Sequence, residues 1–287
     1  MAVRNTIAVE ARAVVGRGSE QMLDQVRLRR LREAGAQAIH ARADEGPNTF
    51  ERLASLLGAA LEPSGLSLSG IDVGTLEQDN PASQSAETRG RALRAIRGAC
   101  RFAAEHDAET VVISPGQPER GVPYQATLDA ARQSLSQAAR YASEAGVRVA
   151  LATPTNGFLR SPNELRQLIE QVESDAVGIA LDLGGLVASR EPFPENWITE
   201  TGQAIALVRA TDYALRATPG PRACGQGDVP WDECLRALAE VGYGGMFVVG
   251  ASGSEHFTHE ATLEAVEASV RFLNQQLERP ALEEVSQ

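Results

Sequence analysis

The chain of 287 residues carries 38 acidic against 27 basic side chains, a formal net charge of −11, which argues against a nucleic-acid backbone or an anionic membrane surface as its partner. Hydrophobic residues make up 43%, enough for a sizeable core and too many for a disordered chain. No stretch approaches the roughly 20 apolar residues that span a bilayer, no secretory pattern opens the chain, and three widely spaced cysteines, Cys100, Cys224 and Cys234, suit reduced thiols in a cytoplasm.

Short apolar runs alternate with longer amphipathic ones. Strand-like runs fall at residues 6–9, 38–41, 66–73 and 110–114, each followed by a helical pattern, at 20–34, 49–61, 86–106 and 124–145. The second half repeats the beat, with strands at 147–153, 177–183, 204–211 and 245–249 and helices at 162–172, 195–202, 230–241 and 258–277. Apolar runs of four to eight residues read as strands, and 3.6-period runs of ten or more as helices. Eight such units have the size and rhythm of a parallel (β/α)8 barrel. No Pro/Gly/Ser linker divides the chain and no Gly-rich dinucleotide fingerprint follows the first strand, which disfavours a two-domain doubly wound fold. The expectation is one domain over residues 1–279, an acidic tail at 280–287, and a polar, mobile loop at 78–87.

Every cationic side chain is arginine; no lysine occurs. A Schiff base needs an amine that can lose its proton, and arginine cannot serve. Lysine-dependent aldolases, pyridoxal-phosphate enzymes and P-loop nucleotidases are thereby excluded.

In such a barrel the chemistry sits at the C-terminal ends of the strands. Those ends supply Glu10 and Arg12, His40 and Arg42, Asp72, Ser114 and Gln117, then Thr153, Thr155 and Asn156. They continue with Asp182, with Arg209, Thr211 and Asp212, and with Ser252, Glu255 and His256. Arg12, Arg42 and Arg209 converging on one mouth would suit a carboxylate, phosphate or enolate-like charge. His40 offers an imidazole, a side-chain type that suits acid–base duty, with Glu10 on the neighbouring strand as its natural partner. Asp228 in the run GQGDVPW (225–231) reads as the cap of a helix starting at Pro230, with Trp231 against the barrel's outer wall. The run 189–197 (SREPFPENW) reads as a lid, with Phe193 and Trp197 either covering a substrate or covering core at a subunit contact.

The segments 147–159 (VRVALATPTNGFL), 177–186 (VGIALDLGGL), 205–213 (IALVRATDY), 225–231 and 247–258 (FVVGASGSEHFT) resemble the xylose isomerase-like TIM barrels, the sugar-phosphate isomerase/epimerase and endonuclease IV-like superfamily. The resemblance implies a site in which four side chains from strands five to eight hold one divalent ion: Glu, Asp, His and Glu. Carried over, those places are Thr153, Asp182, Arg209 and Gly250, and a substrate-touching His falls on Gly185. Only Asp182 keeps a ligand, so no metal and no other cofactor is expected. Removing a dication strands its carboxylates; an Asp182–Arg209 pair would neutralise the pocket and leave a fixed cation where the ion's charge would sit.

The reading is therefore a divergent, metal-independent isomerase, epimerase, lyase or cyclase acting on a small oxygenated, anionic substrate. Its catalytic candidates are His40, Glu10, Asp182 and Arg209. Its substrate-binding candidates are Arg12, Arg42, Asn156, Asp212, Phe193 and Trp197. The alternative is a non-catalytic relative that binds a small ligand or a partner protein. Nucleic-acid and membrane partners are not expected, and a homodimer is compatible with the resemblance.

Overall fold

The computed structural model describes residues 5–11, 24–44, 48–153, 157–250 and 259–278. The alternation becomes β1 (Thr6–Glu10), α1 (Gln25–Ala34), β2 (Ala38–Ala43), α2 (Thr49–Ser64), β3 (Ser67–Val73), α3 (Ala86–Glu105), β4 (Thr110–Ile113), α4 (Tyr124–Ala145) and β5 (Arg148–Ala152). There follow α5 (Pro162–Glu170), β6 (Val177–Asp182), α6 (Leu183–Ala188), α7 (Pro194–Thr201), β7 (Ile205–Ala210), β8 (Asp212–Ala214), β9 (Gly220–Arg222), α8 (Trp231–Glu240), β10 (Met246–Val249) and α9 (His259–Glu278). Eight parallel strands close in the order β1-β10-β7-β6-β5-β4-β3-β2, so the chain is a single (β/α)8 barrel. None of the described helices is long and apolar enough to cross a membrane.

The helices begin and stop where local chemistry demands. Asp24 caps α1 by accepting from the Val26 amide at 2.8 Å, and Gly35 closes it in the left-handed region at φ 108°, a conformation cheap only for glycine. Ser161 caps α5 by accepting from the Glu164 amide, with Pro162 in the first turn, where a missing N–H costs nothing.

Side chains alternate across each strand, and this divides the core in two. One face, with Ile7, Ile39, Ile71, Val149, Leu181 and Val208, packs against the helices. The other fills the lumen with Ala8, Ala38, Val112, Ala150, Ala180, Leu207 and Val248. Each large aliphatic group withdrawn from water contributes roughly 1.5–3 kcal/mol.

Three features differ from the expectation. Strand six is followed by two helices, α6 and α7, and a β8–β9 hairpin stands between β7 and α8. The loop around residue 80, expected to be mobile, is tied down. The Asn80 side-chain amide donates to the Gln117 carbonyl at 2.8 Å, its oxygen accepts from the Ala82 and Gln117 amides, and Asp79 pairs with Arg91. Polarity there satisfies backbone groups of the neighbouring loop.

Candidate functional site

Two residues beyond each lumen position, on the same face of the strand, lie the groups of the barrel mouth. Ala8 leads to Glu10, Ala38 to His40, Gly70 to Asp72, Ala180 to Asp182, Leu207 to Arg209 and Val248 to Gly250. The period-2 rule thus stacks a charged layer directly on an apolar one.

Arg209 is the hub of that layer. Its Nη1 donates to Glu10 Oε1 at 2.7 Å and its Nη2 donates to Asp72 Oδ1. One guanidinium from strand seven therefore spans the mouth to strands one and three. Burial alone would lower the proton affinity of Arg209, but Asp72 and Glu10 overcome it and the group is held firmly protonated. The two carboxylates respond oppositely. Burial raises the pKa of Glu10 above its usual value, and Asp72 adds to the rise while Arg209 and His40 oppose it. Burial pushes Asp72 the same way, yet Arg209 and His40 together hold it well below the carboxylate range. Two acids sharing one cation, one driven toward its neutral form and one kept ionised, is how a site separates the roles of acid and anion.

The expected Asp182–Arg209 pair does not form, although the two are Cα partners in the sheet. Asp182 Oδ1 instead accepts from the Gly185 amide at 2.9 Å and from the Thr211 hydroxyl, and Asp182 caps α6. The run LDLGGL is explained by that turn. A Cβ on Gly184 would meet Thr211 Oγ1 at 2.4 Å, and one on Gly185 would meet the Asp182 carboxyl at 2.9 Å.

The expected His40–Glu10 couple is likewise replaced. The two residues face each other in register, but His40 Nε2 lies 3.4 Å from Asp72 Oδ1 and Nδ1 lies 3.3 Å from Ser69 Oγ. His40 is only 1% exposed, so it sits beneath the mouth rather than at its rim.

The other candidates divide by what they touch. Arg42 pairs with Asp44 at 2.6 Å at the edge of the mouth. Asp212, foreseen as a substrate contact, is buried and accepts from the amides of Tyr213, Gly225, Gly227 and Val229 and from Trp231 Nε1 at 3.0 Å. It is the anchor of the GQGDVPW loop. Asp228 does not cap α8, which opens at Pro230 with no side-chain cap; it accepts from the Leu215 amide at 2.6 Å instead. Trp231 meets Phe272 of α9 edge-on. Trp197 is 3% exposed within α7, which packs on α5 and α8, whereas Phe193 is 55% exposed. The indole is therefore core rather than lid. Arg12, Asn156, Thr155, Ser252, Glu255 and His256 lie outside the described residues.

Asp72 is the residue the sequence reading undervalued. The sequence shows only its place at the end of strand three; its pairing with Arg209 of strand seven appears only once the sheet closes.

The ligand set implied by the resemblance fails on residue chemistry. Thr153 uses its hydroxyl to accept from the Asp182 amide at 3.1 Å. A guanidinium stands at 209 and a bare backbone at 250. Among the described residues no group of three or more His, Cys, Asp or Glu is placed to hold a metal ion. These residues do not fit a divalent cation. Glu10 lies against the position of the missing strand-eight side chain: a Cβ on Gly250 would fall 3.1 Å from Glu10 Oε1.

Fold and site together define a barrel whose mouth carries fixed charges contributed by several strands. The model of the xylose isomerase-like TIM barrel family matches residues 28–276, and the chain belongs to that family. It is 30% identical over 177 residues to the uncharacterized protein MJ1311 of Methanocaldococcus jannaschii, covering 59% of this chain and 60% of that protein's length. Among solved structures it is similar to D-psicose 3-epimerase from Clostridium cellulolyticum, with a TM-score of 0.76, 16% identity, and 95% of this chain and 99% of that one covered. It is also similar to an L-ribulose 3-epimerase, with a TM-score of 0.74, 18% identity, and coverage of 96% and 95%. At such identities the likeness speaks for the fold.

Proposed function

We propose that this chain is a proton-transfer enzyme of the isomerase, epimerase, lyase or cyclase type that acts on a small oxygenated substrate without a divalent metal. The observation that carries the reading is the Arg209 guanidinium held between Glu10 and Asp72 at the barrel mouth. In this role Arg209 supplies fixed positive charge where an enolate-like oxygen develops, using the donors of its fork not given to the two carboxylates. Glu10 carries the proton. Its ionised form takes the hydrogen from the carbon next to a carbonyl, the bonding pair moves onto the carbonyl oxygen beside Arg209, and the now neutral Glu10 returns a proton to carbon. The raised proton affinity of Glu10 brings it closer to the operating pH, as such work requires. Asp182, Arg42, Arg12 and Asn156 serve substrate positioning in this proposal, the arginines suiting an anionic group.

The test is solvent deuterium incorporation, followed by NMR, into a panel of ketoses, keto acids and sugar phosphates in the presence of EDTA. Exchange in EDTA that falls about 10²–10⁴-fold in Glu10→Gln is the expected result. Exchange that appears only with added metal, or that survives Glu10→Gln, overturns it. A second reading, a non-catalytic binder, is favoured by the double grip on Arg209 and the two engaged nitrogens of His40. It predicts thermal stabilisation by a ligand with no exchange into any compound.

A further inference from the structure

We infer that Asp72 is the positioning residue of this site, holding Arg209 across the mouth from Glu10, and that His40 and Ser69 support Asp72 from below instead of carrying the proton. The inference rests on the proton-transfer reading only for its consequence; the arrangement itself is geometric. Asp72 Oδ1 accepts from Arg209 Nη2 and is approached by His40 Nε2 at 3.4 Å. On the far side of the ring, Ser69 Oγ donates to the Ile39 carbonyl at 3.0 Å. Its hydroxyl proton is thereby occupied, so the Ser69 oxygen presents a lone pair to His40 Nδ1. Both nitrogens of His40 thus face acceptors, and the ring bridges Ser69 to Asp72 in the form that carries a hydrogen on each nitrogen.

The backbone is shaped for this bridge. The pairing of strands two and three slips between Ile39 and His40, leaving Ser69 as the extra residue beside the ring; such bulges re-aim side chains next to sites. Gly70 makes the room. A Cβ there would lie 2.7 Å from His40 Cε1 and 2.2 Å from Thr110 Oγ1. The run Ser69–Gly70–Ile71–Asp72 is therefore a cradle for one imidazole, built to present one carboxylate. With Asp72 in place, each Nη of Arg209 has its own carboxylate. Without it Nη2 loses its carboxylate and turns freely about Cζ–Nη, so the guanidinium is no longer fixed across the mouth from Glu10.

The test needs no substrate. Protein labelled with ¹⁵N-arginine is compared with Asp72→Asn, which keeps the side chain's size and loses its charge, and Asp72→Glu, which keeps the charge; Arg209→Lys identifies the Arg209 signals. Separately gripped nitrogens resist rotation about Cζ–Nη, so distinct Nη1 and Nη2 resonances are expected in the parent and in Asp72→Glu. They should merge in Asp72→Asn. Ser69→Ala and His40→Gln, which weaken the support from below, should broaden them, and they provide the readout should Asp72→Asn fail to fold. Unchanged Arg209 resonances in Asp72→Asn, or in both support variants if that protein is unfolded, overturn the inference. In the deuterium assay Asp72→Asn should lower kcat about tenfold or more with KM nearly constant. An absence of exchange in every protein counts against the proposed function alone, because the resonance arm stands apart from it.

Discussion

At the scale of single residues, the mouth is governed by how one guanidinium is shared. Arg209 neutralises charge that would otherwise be stranded on Glu10 and Asp72. Arg209→Met should therefore cost about 3–5 kcal/mol in urea unfolding. The triple variant with Glu10→Gln and Asp72→Asn should recover much of that loss, because no buried charge then lacks a partner; a triple variant as unstable as the single one contradicts this account. The two acids also set opposite pH dependences. The folded pKa of Glu10 is raised, so its contribution is fully present below 4.5 and is lost as pH rises through the folded value. The folded pKa of Asp72 is lowered, so its contribution is present above 3.8 and is lost only as pH falls toward the folded value. Thermal melts across pH should show the parent losing ground to Glu10→Gln as pH rises from 4.5. The parent's advantage over Asp72→Asn should shrink only in acid.

At the scale of elements, short polar motifs act through backbone amides. Asp212 gathers four amides and the Trp231 indole, fixing the passage from the β8–β9 hairpin into α8. Asp212→Ala should destabilise by on the order of 3 kcal/mol or more, since it leaves several buried donors unpaired. Amide hydrogen exchange should accelerate most at Gly225, Gly227 and Val229, and a loss spread evenly over the barrel would refute this role. Motif reading alone locates the GQGDVPW turn but gives its acidic residue, Asp228, a capping role that it does not fill. Asp228 stands just before α8 and Asp212 opens the β8–β9 hairpin, and which carboxylate reaches which amide depends on how the hairpin folds back. Similarly, the sequence places Asp182 and Arg209 at the ends of neighbouring strands six and seven. Cα adjacency does not decide which way a long arginine reaches, and a third carboxylate two strands beyond β1 took part of the charge.

At the scale of the whole molecule, the three thiols test how closed the barrel is. Cys100, Cys224 and Cys234 are buried, and burial pushes each pKa up to about 12. Thiolate is the reactive form, so a disulfide reagent should modify them only as fast as the protein unfolds. Rapid labelling of the folded chain would show that the helical layer opens. The barrel was legible from alternating short and long apolar periods because each strand must hide one face in the lumen and the other under helices. Composition and local pattern by themselves determined the parallel barrel, its strand-end polar residues and its lack of lysine. Only the tertiary structure decided which charges meet. Strands one, three and seven are distant in sequence and converge when the sheet closes, and side-chain reach across that closure, rather than any local spacing, pairs Arg209 with Glu10 and Asp72 and places His40 beneath them.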